Sequence, residues 1–423
     1  MKLPDALRSL RHRNYRLFFF GQLVSLSGTW MQAVAQSWLA YRLTGSALLL
    51  GLVGFAGQIP ALLFSPAGGL AADRFDRRRL LVFTQTASML LAFALAALTL
   101  SGRISVPWIL AFAAALGVVN AFDIPTRQAF AVDMVGRDDL VNAIALNSSI
   151  FNGARVVGPA IAGLIVAKIG EGWCFAVNAV SYLAVIAGLL AMRLDRRRRE
   201  GAHPPAWRSL VEGVHYVARN RPIRALLLLL GLVSLSGMPY AVLMPVFAEK
   251  ILGGGAQTLG YLMGATGLGA LLGAMLLAVR KSIRGLGAFV AFSAGGLGVA
   301  LALFAYSKSF WLSAALLVPV GFCMMSEMAS SNTLIQSLIP DRMRGRVMSV
   351  YAMMFMGMAP VGALLAGTLA ARIGAPATVA TGGAVCVVGA LVFARHLPSL
   401  RADAREMIVA LQMAGGDPPE EPS

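Results

Sequence analysis

Three ionisable side chains stand inside long apolar runs of this 423-residue sequence: Asp123, Arg155 and Glu327. A charge deep in hydrocarbon faces water, a partner or an ion. Arg155 lies about 15 residues into its run, roughly 22 Å along a helix. Either it lines a wet path and attracts an anionic or strongly polar solute, or it bonds backbone carbonyls and helix ends. Asp123 and Glu327 sit near the ends of their runs. As latches they pair with cations; as carriers they take up and release protons, since a carboxyl at a dry site has a raised pKa. Other chemistry is missing from the pattern. No glycine-rich phosphate cradle, His/Cys metal cluster or Ser-His-Asp set stands out. Cys174, Cys323 and Cys386 are isolated in apolar stretches and read as buried thiols. The four histidines fall in or beside polar segments. These patterns argue against an enzyme, a metal and a bound cofactor.

The elements that must hold these groups follow from composition. Hydrophobic residues make up 58% and charged residues 13%, and mean hydropathy is +0.73. Soluble domains have roughly 45–50% and about 25%. A soluble enzyme, a disordered chain and a secreted disulfide scaffold are excluded. A membrane helix needs about 20 apolar residues. Runs bounded by charge predict twelve: 17–41, 47–72, 79–101, 105–127, 140–168, 171–193, 223–248, 256–280, 285–306, 309–333, 344–371 and 375–396.

The net charge of +17 is unevenly placed. One set of alternate loops holds only Arg42, Arg103, Lys168, Lys250, Lys308 and Arg372. Except for Arg155, every other Lys and Arg lies on the side of the termini. The positive-inside rule puts both termini in the cytoplasm and explains the basic charge without nucleic acid. Trp108, Trp173, Trp311, Tyr41 and Tyr306 fall at the predicted outer boundaries as an aromatic belt. Between the halves, Arg196–Arg199 faces anionic lipid. Trp207, Leu210, Val211, Val214 and Val217 then predict an amphipathic helix on the membrane surface. The expected organisation is a six-helix bundle over 1–193, a linker over 194–222, a second bundle over 223–397 and a largely disordered tail over 398–423.

The halves repeat. LVSLSG occurs at Leu23–Gly28 and at Leu232–Gly237, and the same offset pairs Gly51 with Gly260. A slightly shorter offset pairs Asp123 with Glu327, Phe151 with Phe355, Gly163 with Gly367 and Gly170 with Gly374. Parallel repeats about an axis along the membrane normal build midplane transport sites.

Gly69, Asp73, Arg74, Arg77 and Arg78, between the second and third runs, resemble the loop signature of the major facilitator superfamily, with Asp76 where glycine is usual. The resemblance implies an all-α membrane protein of twelve transmembrane helices in two pseudo-symmetric bundles. It implies that Asp73 lies near the start of the eleventh helix and that Arg77 pairs with an acid low on the fourth, for which Asp123 is the candidate. Glu327 is expected to pair with Arg280 or Arg344. These groups form a cytoplasmic gate, with Asp123 and Glu327 also the candidates for proton coupling. Gly158, Pro159 and Gly163 are similar to the exporters' antiporter motif, with Ala154 and Ala162 in place of glycines. The stretch Asn120–Gln128, with Asn142, Asn147 and Gly158-Pro159, resembles the branch of enterobactin exporters and macrolide efflux proteins. In that fold Gln32, Gln36, Gln58, Asn120, Asn152, Arg155, Tyr240 and Met244 line the substrate pathway, and the prolines are kink sites. The implied activity is proton-coupled antiport by alternating access, exporting a siderophore or amphiphilic drug from the bacterial cytoplasm across the inner membrane. The proton gradient drives it and no cofactor is needed. Its partners are a small-molecule substrate and membrane lipid, with no nucleic acid, and it is expected to be a monomer. A lysolipid flippase or small-metabolite importer of the same fold is the alternative.

Overall fold

Long apolar runs leave backbone polar groups no partner but each other, so each run closes its own hydrogen bonds as a helix. The computed structural model describes residues 5–136, 138–193, 206–280 and 282–413. The helices are α1 (Arg13–Thr44), α2 (Ala47–Arg74), α3 (Arg77–Leu100), α4 (Val106–Val135), α5 (Leu140–Ile169), α6 (Glu171–Ala191), the linker helix (Ala206–Arg219), α7 (Arg221–Ile251), α8 (Ala256–Val279), α9 (Leu286–Ala305), α10 (Phe310–Leu338), α11 (Arg342–Ile373) and α12 (Ala375–Met413). Eleven of these are long and apolar enough to cross a membrane. The remaining long helix, α1, packs among them against α5 and α6. Local signals set the breaks. Gly45 ends α1 in the left-handed region, φ 61°, and the Ser46 side chain accepts from Leu49 N at the start of α2. Asp76 caps α3 by accepting from Arg79 N. Gly170 and its repeat mate Gly374 turn the chain at φ 92° and 85°, conformations that favour glycine. The Arg196–Arg199 cluster, Lys281 and the acidic, proline-rich end of the chain lie outside the described residues.

The packing repeats as the sequence does. In the first half α2 lies on α4, α3 on α4 and α6, and α1 on α5 and α6. In the second, α8 lies on α10, α9 on α10 and α12, and α7 on α11 and α12. The halves meet mainly where α2 crosses α11 and where α5 crosses α8, two contacts that the repeat exchanges. One buried core runs from the first half into the second, joined through these two crossings.

The repeat fails at three π turns: Phe247–Ile251 at the end of α7, and Val233–Gly237 in α7 and Met353–Gly357 in α11, the last two preceding Pro239 and Pro360. Proline lacks the N–H that the ladder needs. The π-type donor to the Phe355 carbonyl would be residue 360; the Ser234 hydroxyl donates to that carbonyl instead, at 2.6 Å. The same hexapeptide in α1 stays α-helical because Trp30 occupies the place of Pro239.

Two expectations are corrected here. The linker helix is not simply laid on the lipid surface. Gly213 packs on the Arg346 carbonyl, Glu212 pairs with Arg346 at 2.7 Å, and Val217 is buried, while Val211 and Val214 stay exposed. Tyr41 is not in the aromatic belt: it is buried, with the Lys250 ammonium over its ring, whereas Trp108, Trp173, Tyr306 and Trp311 are exposed.

Candidate functional site

A charged cluster stands at the loop between α2 and α3, on the basic face. Arg77 Nη1 donates to both oxygens of Asp133 at 3.1 Å and to the Ala129 carbonyl at 3.1 Å, and Nε donates to the Ala72 carbonyl at 3.1 Å. Asp73 lies 3.9 Å from Arg77. The acid on α4 that meets Arg77 is therefore Asp133, not Asp123. The helix runs two turns past residue 127, where the apolar run ends, and this places Asp133 at its base. Asp123 is buried higher up, accepting from Thr84 Oγ1 at 2.8 Å, from Gln85 Nε2 at 2.7 Å and from Arg127. Arg78 donates to the Leu190 carbonyl, and Arg74 is exposed. Gly69 makes no close approach. Its neighbour Gly68 does, since a Cβ there would lie 1.9 Å from the Ala121 carbonyl oxygen.

A second polar knot was not anticipated. Ser9 N donates to Asn142 Oδ1, while Arg8 and His12 both reach Asp139, at 2.7 and 2.8 Å. The His12 hydrogen bond, with help from the Arg8 and Arg11 charges, holds the Asp139 carboxyl below its ordinary pKa against a smaller opposing desolvation. The signal in sequence is weak, one of two adjacent acids between two helices and a histidine 127 positions away.

Glu327, the repeat mate of Asp123, is in a different state. It is fully buried; Ser331 donates to one oxygen at 3.1 Å, and among the described residues the other has no partner. Its titratable neighbours are Tyr351 of α11 and Cys386 of α12. Arg280, offered from sequence as its cation, instead donates to the Ser282 and Arg284 carbonyls and lies over the Phe289 ring.

The pathway residues divide. Gln32 accepts from Asn178 at 2.7 Å and Gln36 donates to the Ile109 carbonyl, so both tie α1 to neighbours inside the first half. Asn152 is buried and bonds back to the Ser148 carbonyl. Gln58 is exposed on α2, Asn120 is half-buried, and Met244 is buried. Arg155 alone reaches across the seam. Its guanidinium lies 5.6 Å from the Trp30 ring centre and 3.8 Å from Met324 Sδ of α10, and Tyr240 of α7 is close enough to feel its charge.

The seam is closed at one end. A Cβ on Gly163 would come 3.0 Å from the Ala256 carbonyl oxygen, and one on Gly260 2.5 Å from that of Pro159. Gly158 instead fits α5 against α1 at Trp30. Toward the basic face the same helix faces part. Gly69 lies about five turns along α2 from Gly51 on one face, and a Cβ there meets nothing. Ala145 and Ala278, equally displaced from Gly163 and Gly260, are exposed, and so is Ser349 in the first turns of α11. The first turns of α11, Asp341–Ala352, lie on the linker helix while α2 packs further along. At the closed end, Trp38, Arg42, Glu171, Ala256 and Gln257 line a 590 Å³ recess in which Arg42 and Glu171 pair at 2.7 Å.

Comparison with known proteins agrees with this architecture. Residues 5–415 match the model of the transmembrane secretion effector family. The staphyloferrin A transporter of Staphylococcus aureus is 27% identical over 83% of this chain and 88% of its own. The multidrug efflux pump Tap of Mycolicibacterium fortuitum is 28% identical, covering 86% and 90%, and macrolide efflux protein A of Streptococcus pyogenes is 24% identical, covering 86% and 92%. A bacterial homologue of the iron transporter ferroportin, solved in an inward-facing state, superposes with a TM-score of 0.68 at 16% identity over 90% of this chain and 98% of that one. Two repeated bundles, a seam closed at one end and a match spanning nearly the whole chain lead to one conclusion: the protein belongs to the transmembrane secretion effector family of major facilitator transporters.

Proposed function

We propose that this transporter exports a siderophore or amphiphilic drug-like molecule from the bacterial cytoplasm across the inner membrane, by alternating access coupled to inward proton flow. The observation that carries the reading is the seam, tight through glycine contacts at one end and parted at the other. Rocking one half on the other would exchange the two ends. The excess of Lys and Arg in its loops supports a cytoplasmic location for the parted face. The names of the relatives support efflux of a siderophore or a drug.

Of the two acids, Glu327 is the better proton carrier. Among the described residues it has one hydroxyl donor and no ion-pair partner, whereas Asp123 is bonded to Arg127, Thr84 and Gln85. Efflux of labelled catecholate siderophore and macrolide, measured with imposed pH gradients, tests this. Gradient-driven efflux is expected in the wild type and lost in Glu327→Gln. Efflux that ignores the gradient in the wild type, or keeps its gradient dependence in Glu327→Gln, refutes the coupling. No cofactor enters the cycle, and a single chain contains the whole path.

A further inference from the structure

Arg155 is a half-buried cation at the seam between the two halves. Among the described residues no carboxylate pairs with it. Asp123 is taken by Arg127, and the titratable neighbours of Glu327 are Tyr351 and Cys386. The contacts that Arg155 does make are a thioether and an aromatic face, which are weak partners for a guanidinium. Holding an uncompensated cation at such depth is costly unless an anion or water answers it.

Its surroundings are built for more than water. Phe151 lies one turn before Arg155 on α5 and is 46% exposed. The Trp30 ring stands edge-on to Phe151, 5.6 Å between centres, and faces the guanidinium. Gly158 fixes that indole, since Trp30 Cβ occupies the place a side chain there would need. From the other half comes Met324. A guanidinium beside two fixed rings, spanning two halves that move apart, matches an anionic head joined to a flat apolar body.

We infer that Arg155, Trp30, Phe151 and Met324 form an organic-anion site, and that the transported class is an aromatic or similarly flat molecule bearing a carboxylate. This rests on the export reading above for its biological sense, but the binding chemistry is tested apart from it. The matched probes are 2,3-dihydroxybenzoate and its neutral amide, titrated calorimetrically into protein in phosphatidylcholine nanodiscs. The acid is expected to bind about tenfold tighter than the amide. In Arg155→Met, which keeps an unbranched apolar stem without the charge, the acid falls to the affinity of the amide while the amide is unchanged. Arg155→Lys retains part of the preference, because a point charge replaces a planar fork. Equal affinities in the wild type, or a preference that survives Arg155→Met, overturn the site. Efflux of the acid from proteoliposomes reads the export function independently: binding with the stated preference but no efflux would sink the export reading and leave the anion site standing.

Discussion

Gly51 of α2 and Gly367 of α11 meet backbone to backbone across the seam: a Cβ on Gly51 would lie 2.9 Å from Gly367 Cα, and one on Gly367 2.8 Å from Gly51 Cα. Their repeat mates, Gly260 and Gly163, meet in the same way where α8 crosses α5. The internal repeat therefore closes one end of the molecule twice. Each crossing joins a glycine from the early part of one half to a glycine from the late part of the other. Small residues let helix backbones approach this closely, and nothing larger fits without moving them apart.

Gly367→Leu should wedge that end open. Overpacking of this kind costs about 1–3 kcal/mol, enough to shift a two-state equilibrium about five- to 150-fold. Ser349, exposed on the parted face, is the reporter. In a background lacking the three native cysteines, Ser349→Cys should label more slowly when Gly367→Leu is present. Unchanged labelling would mean that the glycine contact does not hold the conformer.

Arg77 should matter more than Asp133. The ion pair is a third exposed and contributes about 0.2–1 kcal/mol. Arg77→Ala also strips donors from the Ala72 and Ala129 carbonyls, adding about 1–3 kcal/mol for each carbonyl left dry. Thermal unfolding of purified protein should show a small drop for Asp133→Asn and a larger one for Arg77→Ala. A double-mutant cycle checks that Asp123 does not couple to Arg77.

Asp123→Asn should destabilise chiefly by stranding Arg127. Breaking a buried pair by removing one partner costs about 3–5 kcal/mol, less here because Arg127 is a quarter exposed. The double change Asp123→Asn with Arg127→Gln should recover most of the lost thermal stability. Failure to recover would assign the carboxylate a role beyond this pair.

The N-terminal segment should loosen in acid. The Asp139 carboxyl is held below its ordinary value of about 3.9 by His12 first and Arg8 next. A depressed carboxyl stabilises the fold above its unfolded pKa, and this is lost as pH falls through the folded one. Cleavage near Leu7–Arg11 by an acid-active protease should rise below about pH 4. In Asp139→Asn the segment should be loose already at pH 7, with no further acid step.

Gly213→Leu should lift the linker helix from α11, because its Cβ would lie 2.4 Å from the Arg346 carbonyl oxygen. Amide exchange of residues 210–219 should quicken while α7 stays protected. Equal protection in the variant would place the docking elsewhere.

Much of this protein was legible in its sequence. Hydrophobic runs of membrane length dictate helices because backbone polar groups have no other partner in lipid. Gly51 with Gly260, and Gly163 with Gly367, could be matched as repeat mates on spacing alone, as could Gly170 with Gly374. Which glycine touches which could not. The contacts Gly51–Gly367 and Gly260–Gly163 cross from one half to the other, and chain distance carries no record of that. Nor could sequence choose Asp133 over Asp123 for Arg77, because the apolar run stops at residue 127 while the helix does not. The repeat predicted equal roles for Asp123 and Glu327. Arg127, Thr84 and Gln85 surround only the first, so the two carboxyls have different partners. Periodicity fixes which face of a helix a residue occupies; only packing decides which other face it meets, and a buried charge is defined by what meets it.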